Sequence, residues 1–176
     1  MEVLKDKLLL ITESIQFLLP ELLLVGTVIL ALILDLVFNK KAFKYIFAFG
    51  LLASALVTCL SLYQLTVYGS KPISLFLGML EISQGATFWK LIVDVGAFIA
   101  LLIHLRNSLN RYKSEYISIF LLMLIGAHLL IMSANLLMVY LSIELLSIGA
   151  YILTAYGFRG KGYEAGIKYL LFGGVA

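Results

Sequence analysis

Glu144 stands in the run LLMVYLSIELLSIGAYILTAYGF, Leu136–Phe158, which carries no other charge. A bilayer core about 30 Å thick needs roughly 20 helical residues to span it. An acid well inside such a run has no easy route to water. Placing it there costs about 2.5 kcal/mol or more, which marks it as functional by default. Lys168 lies in YEAGIKYLLFGGVA, just inside the next apolar run. The two make an opposite-charge pair at membrane depth on successive helices. Desolvation favours the neutral form of each group, and an opposite charge favours the ionised form. A proton gained or lost by one partner therefore changes the proton affinity of the other, and a row of such sites passes protons.

Tyr140, Glu144, Ser147 and Tyr151 recur at helical spacing, so they form a polar stripe on one face of an otherwise apolar rod. Such a face belongs toward a bundle interior or a hydrated path. For the hydroxyls, mutual hydrogen bonding across helices is the structural alternative. Lys168 follows Glu164 by four residues, so a local ion pair is the alternative there. Lys168 also lies close enough to the boundary to snorkel back to water. His128, past the middle of the fourth apolar run, is a further candidate relay; a histidine simply hydrogen-bonded within the bundle is its alternative. Glu21, Asp35 and Asp94 lie nearer the ends of their runs and read as structural.

The elements that must position these groups are membrane helices. The 176 residues are 62% hydrophobic and 13% charged, against roughly 45–50% and 25% in soluble domains. The chain is an all-α integral membrane protein, with full spans expected at about Ile15–Phe38, Phe47–Tyr68, Phe88–Leu105, Tyr116–Ser133 and Leu136–Phe158. A sixth span opens near Tyr163 and reaches Ala176 too soon to cross, so the native protein is expected to continue into further helices. Two prolines and no strict alternation argue against a β-barrel. The N-terminal segment has mixed charges and no small-residue cleavage site, and reads as a retained first span. One cysteine, Cys59, excludes an internal disulfide and any Cys-based zinc or iron–sulfur site.

Lys40, Lys41, Lys44, Arg106, Arg111, Lys113, Arg159 and Lys161 fall in the connections after spans one, three and five. Lys5, Lys7, Lys71 and Lys90 fall on the other side, counting Lys90 with the loop after span two. This asymmetry puts the N-terminus outside. The long connection Gly69–Thr87, with Pro72, Gly78 and Gly85, is expected to hold a short strand or interfacial turn on the outer face. Trp89, Tyr68 and Tyr112 suit an interfacial aromatic belt. There is no nucleotide-binding glycine pattern, no zinc spacing and no Ser–His–Asp arrangement, and nucleic acid is not an expected partner.

The stretch EYISIFLLMLIGAHLLIMSANLLMVYLSIELLSIGAYILTAY, followed by YEAGIKYLLFGG, closely resembles the subunit N (subunit 2) family of proton-pumping NADH–quinone oxidoreductase, respiratory complex I. The YLSIELLSIGAYIL element is shared by antiporter-like subunits, and EA-x-x-KY favours subunit N. The match is strong from Glu115 onward and looser before it. The resemblance implies that Glu144 is the family's fifth-helix glutamate and Lys168 its sixth-helix lysine. It also implies about fourteen helices with two inverted five-helix repeats, each holding a broken helix. Residues 1–114 would form a leading bundle and residues 115–176 would open the first repeat. The implied activity is proton translocation by a subunit without a redox centre. FMN, iron–sulfur clusters and quinone are then expected in other subunits, and the expected partners are neighbouring antiporter-like membrane-arm subunits and the lipid bilayer of a bacterial inner membrane. A piece of this length is not expected to be active alone. Asn135 stands where the family pattern has an aspartate, which puts a helix cap or an outer charge in question, and His128 stands where an apolar residue is usual. A structural scaffold, or a subunit of a related cation/proton antiporter or membrane-bound hydrogenase, is the alternative.

Overall fold

In a lipid environment a chain must satisfy its own backbone, and long apolar runs do so as helices. The computed structural model describes residues 11–12, 14–38, 43–67, 72–106, 113–156 and 160–175. Its helices are α1 (Leu19–Phe38), α2 (Phe43–Val67), α3 (Gln84–Arg106), α4 (Lys113–Met132), α5 (Leu136–Ala155) and α6 (Gly160–Val175). Among the described residues five helices, α1 to α5, are long and apolar enough to cross a membrane. The protein is a multi-pass integral membrane protein. Helix α6 has 16 residues, about 24 Å at 1.5 Å per residue, so it falls short of the roughly 30 Å core.

Helix α4 is the hub. It packs against α1, α2, α3 and α5 and is the most buried of the five spans, whereas α5 is the least. The core gathers Leu24 and Ala31 of α1, Ile46 and Val57 of α2, Ala97 of α3, and Ile117, Leu121 and Leu124 of α4. Helix α5 packs on α4 and α6 and leaves Leu137, Leu141, Ile143 and Ile148 open.

Helix ends follow local chemistry. Pro20 sits in the first turn of α1, where its missing N–H costs nothing. Ser83 Oγ accepts a hydrogen bond from the Ala86 N–H and starts α3 earlier than the expected Phe88. The Asn135 side chain accepts from the Met138 N–H at 2.9 Å, so the helix cap that the missing aspartate put in question is intact.

The Gly69–Thr87 connection contains the hairpin β1 (Ile73–Leu75) and β2 (Leu80–Ile82), paired antiparallel with Ile73 opposite Ile82 and Leu75 opposite Leu80. Its tip is left-handed at three successive residues, Phe76, Leu77 and Gly78, with φ of 48°, 57° and 86°. Only the glycine accepts this freely; the two side chains cost about 1–2 kcal/mol each. Fixed contacts hold them there. Ser14 Oγ accepts from the Phe76 N–H, Met79 O accepts from the Ala134 N–H, and Leu80 bridges to Ser133. Leu75, Leu80, Ile82 and Met132 form a small buried apolar cluster beneath the hairpin.

Tyr68 and Tyr112, and the loop charges Lys5, Lys7, Lys40, Lys41, Lys71, Arg111 and Arg159, lie outside the described residues. Lys90 needs correction. It is a residue of α3, 1% exposed, and not a loop charge. Acceptors on neighbouring helices, Glu21 of α1 and Gln64 of α2, draw it inward.

Candidate functional site

Three helices place four titratable side chains at one point. From α1 comes Glu21, from α3 Lys90 and Asp94, and from α4 His128; all four are at most 4% exposed. The His128 ring lies between two carboxylates, with Nδ1 at 2.9 Å from Glu21 Oε1 and Nε2 at 2.8 Å from Asp94 Oδ1. Lys90 Nζ lies 2.6 Å from the same Glu21 oxygen. Helix α2 completes the shell: Ser61 Oγ donates to Asp94 Oδ2 at 2.5 Å, and Lys90 Nζ donates to Gln64 Oε1 at 3.4 Å. Gln64 Nε2 in turn donates to the Phe17 carbonyl at 3.0 Å.

Buried charge is tolerated only when it is paired and hydrogen-bonded. This cluster meets the condition through proton counting. Each short contact between the imidazole and a carboxylate needs one proton in it, because two bare acceptors at that distance repel. Two contacts need two protons, which leaves the Glu21–His128–Asp94 trio with a charge of −1. The Lys90 ammonium balances it, and the cluster is electroneutral.

The residues singled out from sequence divide differently. His128 is placed in the cluster, its hydrogen-bonded alternative and its relay role both open to the same geometry. Glu144 and Tyr140 are exposed on α5, and Ser147 and Tyr151 are half-buried. Tyr151 meets Tyr169 of α6 edge-on with ring centroids 4.9 Å apart. Lys168 is exposed and pairs with Glu164 at 2.5 Å, so the local alternative forms. No ion pair joins Glu144 to Lys168 among the described residues, because Lys168 already has a carboxylate one turn away on its own helix.

Glu21, Lys90 and Asp94 were missed as site residues. The available signal was their number: an acid in the first run, a lysine and an acid four residues apart in the third, and a histidine in the fourth. Taken singly each has a structural explanation. Only their sum, two acids with one lysine and one histidine inside apolar runs, points to a shared cluster.

At the opposite end of the bundle, Tyr156 lies just beyond α5. Burial pushes its phenol above the usual range, and the Glu115 carboxylate adds to this. Its hydroxyl accepts from the Tyr116 N–H at 3.2 Å, fixing α5 to the start of α4. Among the described residues no group of His, Cys, Asp and Glu has an arrangement able to hold a metal ion.

No protein-family model matches the chain. Curated relatives do. The chloroplast NAD(P)H–quinone oxidoreductase subunit 2 of Mesostigma viride is 32% identical over 169 residues, covering 93% of this chain and 32% of that protein. NADH–quinone oxidoreductase subunit N of Dehalococcoides mccartyi is 31% identical over 161 residues, covering 89% of this chain and 32% of that protein. Among solved structures, a chain of respiratory complex I from Thermus thermophilus with bound aureothin superposes with a TM-score of 0.73 at 24% identity, over 89% of this chain and 33% of that one. A chain of the archaeal membrane-bound sulfane sulfur reductase superposes with a TM-score of 0.77 at 24% identity, over 92% and 34%. These two structures share the fold and are multi-subunit respiratory membrane complexes. The chain spans about a third of the length of the curated relatives it matches. With five apolar spans, the complex I fold and these relatives along nine-tenths of its length, the chain is similar to part of the NADH–quinone oxidoreductase subunit N (subunit 2) proteins.

Proposed function

We propose that the chain is part of a membrane-arm subunit that moves protons across the membrane, driven by quinone reduction elsewhere in its complex. The observation that carries this is Glu144, an ionisable side chain on the open face of α5, midway along a membrane-spanning helix. Against bare lipid such an acid costs about 2.5–3.5 kcal/mol, so its face belongs against further helices or a hydrated path. Residues 1–114 then form a leading bundle, and α4 to α6 open an antiporter-like repeat. Glu144 and Lys168 exchange the protons, with Tyr140, Ser147 and Tyr151 along the same stripe. On this proposal the chain holds no redox group; FMN, iron–sulfur clusters and quinone belong to other subunits, and its neighbours are antiporter-like subunits.

Glu144→Gln keeps size and hydrogen bonding but cannot ionise. In membrane vesicles carrying the full-length variant in its complex, proton uptake during quinone reduction is expected to fall by most of its wild-type value, with assembly preserved. Wild-type uptake would sink the proposal, and loss of assembly instead would favour a scaffold.

The orientation proposed is N-terminus and hairpin outside, with the Arg106–Lys113 connection inside. Returning Lys90 to α3 removes one charge from the outer tally and sharpens the asymmetry. An impermeant thiol reagent is therefore expected not to label Arg111→Cys in intact cells of a bacterial host. Labelling from outside reverses the topology.

A further inference from the structure

We infer that Glu21, His128 and Asp94 form a second proton-handling site, a relay near the hairpin end of the bundle that is separate from Glu144 and Lys168. Its role in turnover rests on the proposed function above; its ability to take up and exchange a proton does not.

The geometry supplies the parts of a relay. The trio needs two protons for its two contacts, and three arrangements satisfy that count: the additional proton on Glu21, on the imidazole, or on Asp94. They differ only in which O–H or N–H bond is made. When Glu21 holds it, Nδ1 accepts from the carboxyl and Nε2–H donates to Asp94. Transfer breaks the Glu21 O–H bond and makes Nδ1–H, while Nε2–H breaks and Asp94 gains O–H. The net charge of −1 is unchanged, so no charge is created in the low-dielectric interior. In place of His128, a lysine could only donate to both acids. An asparagine could accept from one and donate to the other but could not take up a proton on one side and release one on the other.

The site also has a point for a proton to arrive. Glu21 Oε2 is buried and has no hydrogen-bond partner among the described residues. A buried bare acceptor is costly, and here it is a free lone pair on one end of the trio. Glu21 lies in the first turn of α1, and His128 lies four residues from the end of α4, about 6 Å along the axis. Asp94 is ten residues into α3, about 15 Å deep.

Other groups around the trio fix its ligand as a proton. The Lys90 ammonium occupies the place a metal cation would take, against Glu21 Oε1 and Gln64 Oε1. Ser61 fills the second oxygen of Asp94. Toward the hairpin the neighbours are apolar: Lys90 Nζ touches Met132 Sδ at 3.7 Å, and Met132 packs beneath Leu75, Leu80 and Ile82. Glu81, between the two buried β2 residues, is exposed and faces away. The hairpin is an apolar cover over a polar site.

The test is proton exchange in the resting, assembled complex with the full-length chain. Infrared spectra are recorded after mixing from H2O into D2O, and the His128→Asn spectrum is subtracted from the wild type to isolate the imidazole bands. These bands are expected to shift within about a minute, and faster when Ile82→Ser opens the cover. Protons still retained after about an hour mark a sealed ionic network that opens only by local unfolding, which overturns the relay. If His128→Asn does not assemble, Asp94→Asn, which keeps the size and an acceptor for Ser61, provides the subtraction, and the exchange is then read from the Asp94 carboxyl bands. Under turnover, Asp94→Asn is expected to slow proton uptake at least about tenfold; unchanged uptake overturns the relay. Exchange at rest needs no pumping, so it is decided independently of Glu144→Gln.

Discussion

Lys90→Met is expected to destabilise the bundle by about 3–5 kcal/mol, the scale of a buried ion pair broken on one side. Methionine follows the lysine stem closely and would pack against Met132, so little volume is lost. What goes is the one positive charge that balances the trio. Glu21, His128 and Asp94 are left with a net charge of −1, or must bind another proton and lose one of the short contacts. The measurement is the thermal midpoint and yield of the detergent-solubilised complex. Electroneutrality gives a second expectation: Lys90→Met combined with Glu21→Gln recovers at least about 1 kcal/mol over the sum of the single losses. Additive losses would mean that the four groups are independent and the charge count is wrong.

Gly126→Leu is the other large effect expected. A Cβ on Gly126 would lie 3.0 Å from the Leu146 backbone nitrogen and 3.3 Å from its Cα. Backbone cannot swing aside as a side chain can, so α4 and α5 must separate. Overpacking typically costs about 1–3 kcal/mol, and here the cost is at the upper end because a whole helix moves. Alanine already strains the contact. Gly96 of α3 is the control, since a Cβ there meets nothing within 4 Å; Gly96→Ala is expected to be neutral or stabilising by about 0.5–1 kcal/mol through helix propensity. Equal midpoints for Gly126→Ala and Gly96→Ala would contradict the close approach of α4 and α5.

The spans were legible because length and apolarity alone decide them, and the ends of α1, α4 and α5 fall within a few residues of expectation. A short strand or turn was legible from Gly78 and the apolar residues around it, but not the pairing of two strands. Its left-handed tip at Phe76 and Leu77 was not, since neither residue type announces a positive φ. The buried cluster was illegible for a different reason. These helices are apolar nearly all round, so no periodicity says which face is inside, and Lys90 and Asp94 could equally have served the interface. Only the packing of α4 against α1 brings Glu21 to His128. Glu144 behaves oppositely: its position in the run is plain from sequence, but the groups that would cover its face lie in no described part of this chain.

The cluster also imposes an order on biogenesis. Glu21 and His128 are 107 residues apart, and synthesis at about 5–20 residues per second separates their emergence by roughly 5–20 s. Span one therefore enters the membrane before its partner on α4 exists. A lone carboxylate there is disfavoured, so Glu21 is expected to insert as the neutral acid and to bring a proton in with it. When α4 arrives, that proton is the one the trio requires. Assembly of the first four helices would then be a neutralisation completed at the ribosome's pace, with His128 as its last reagent.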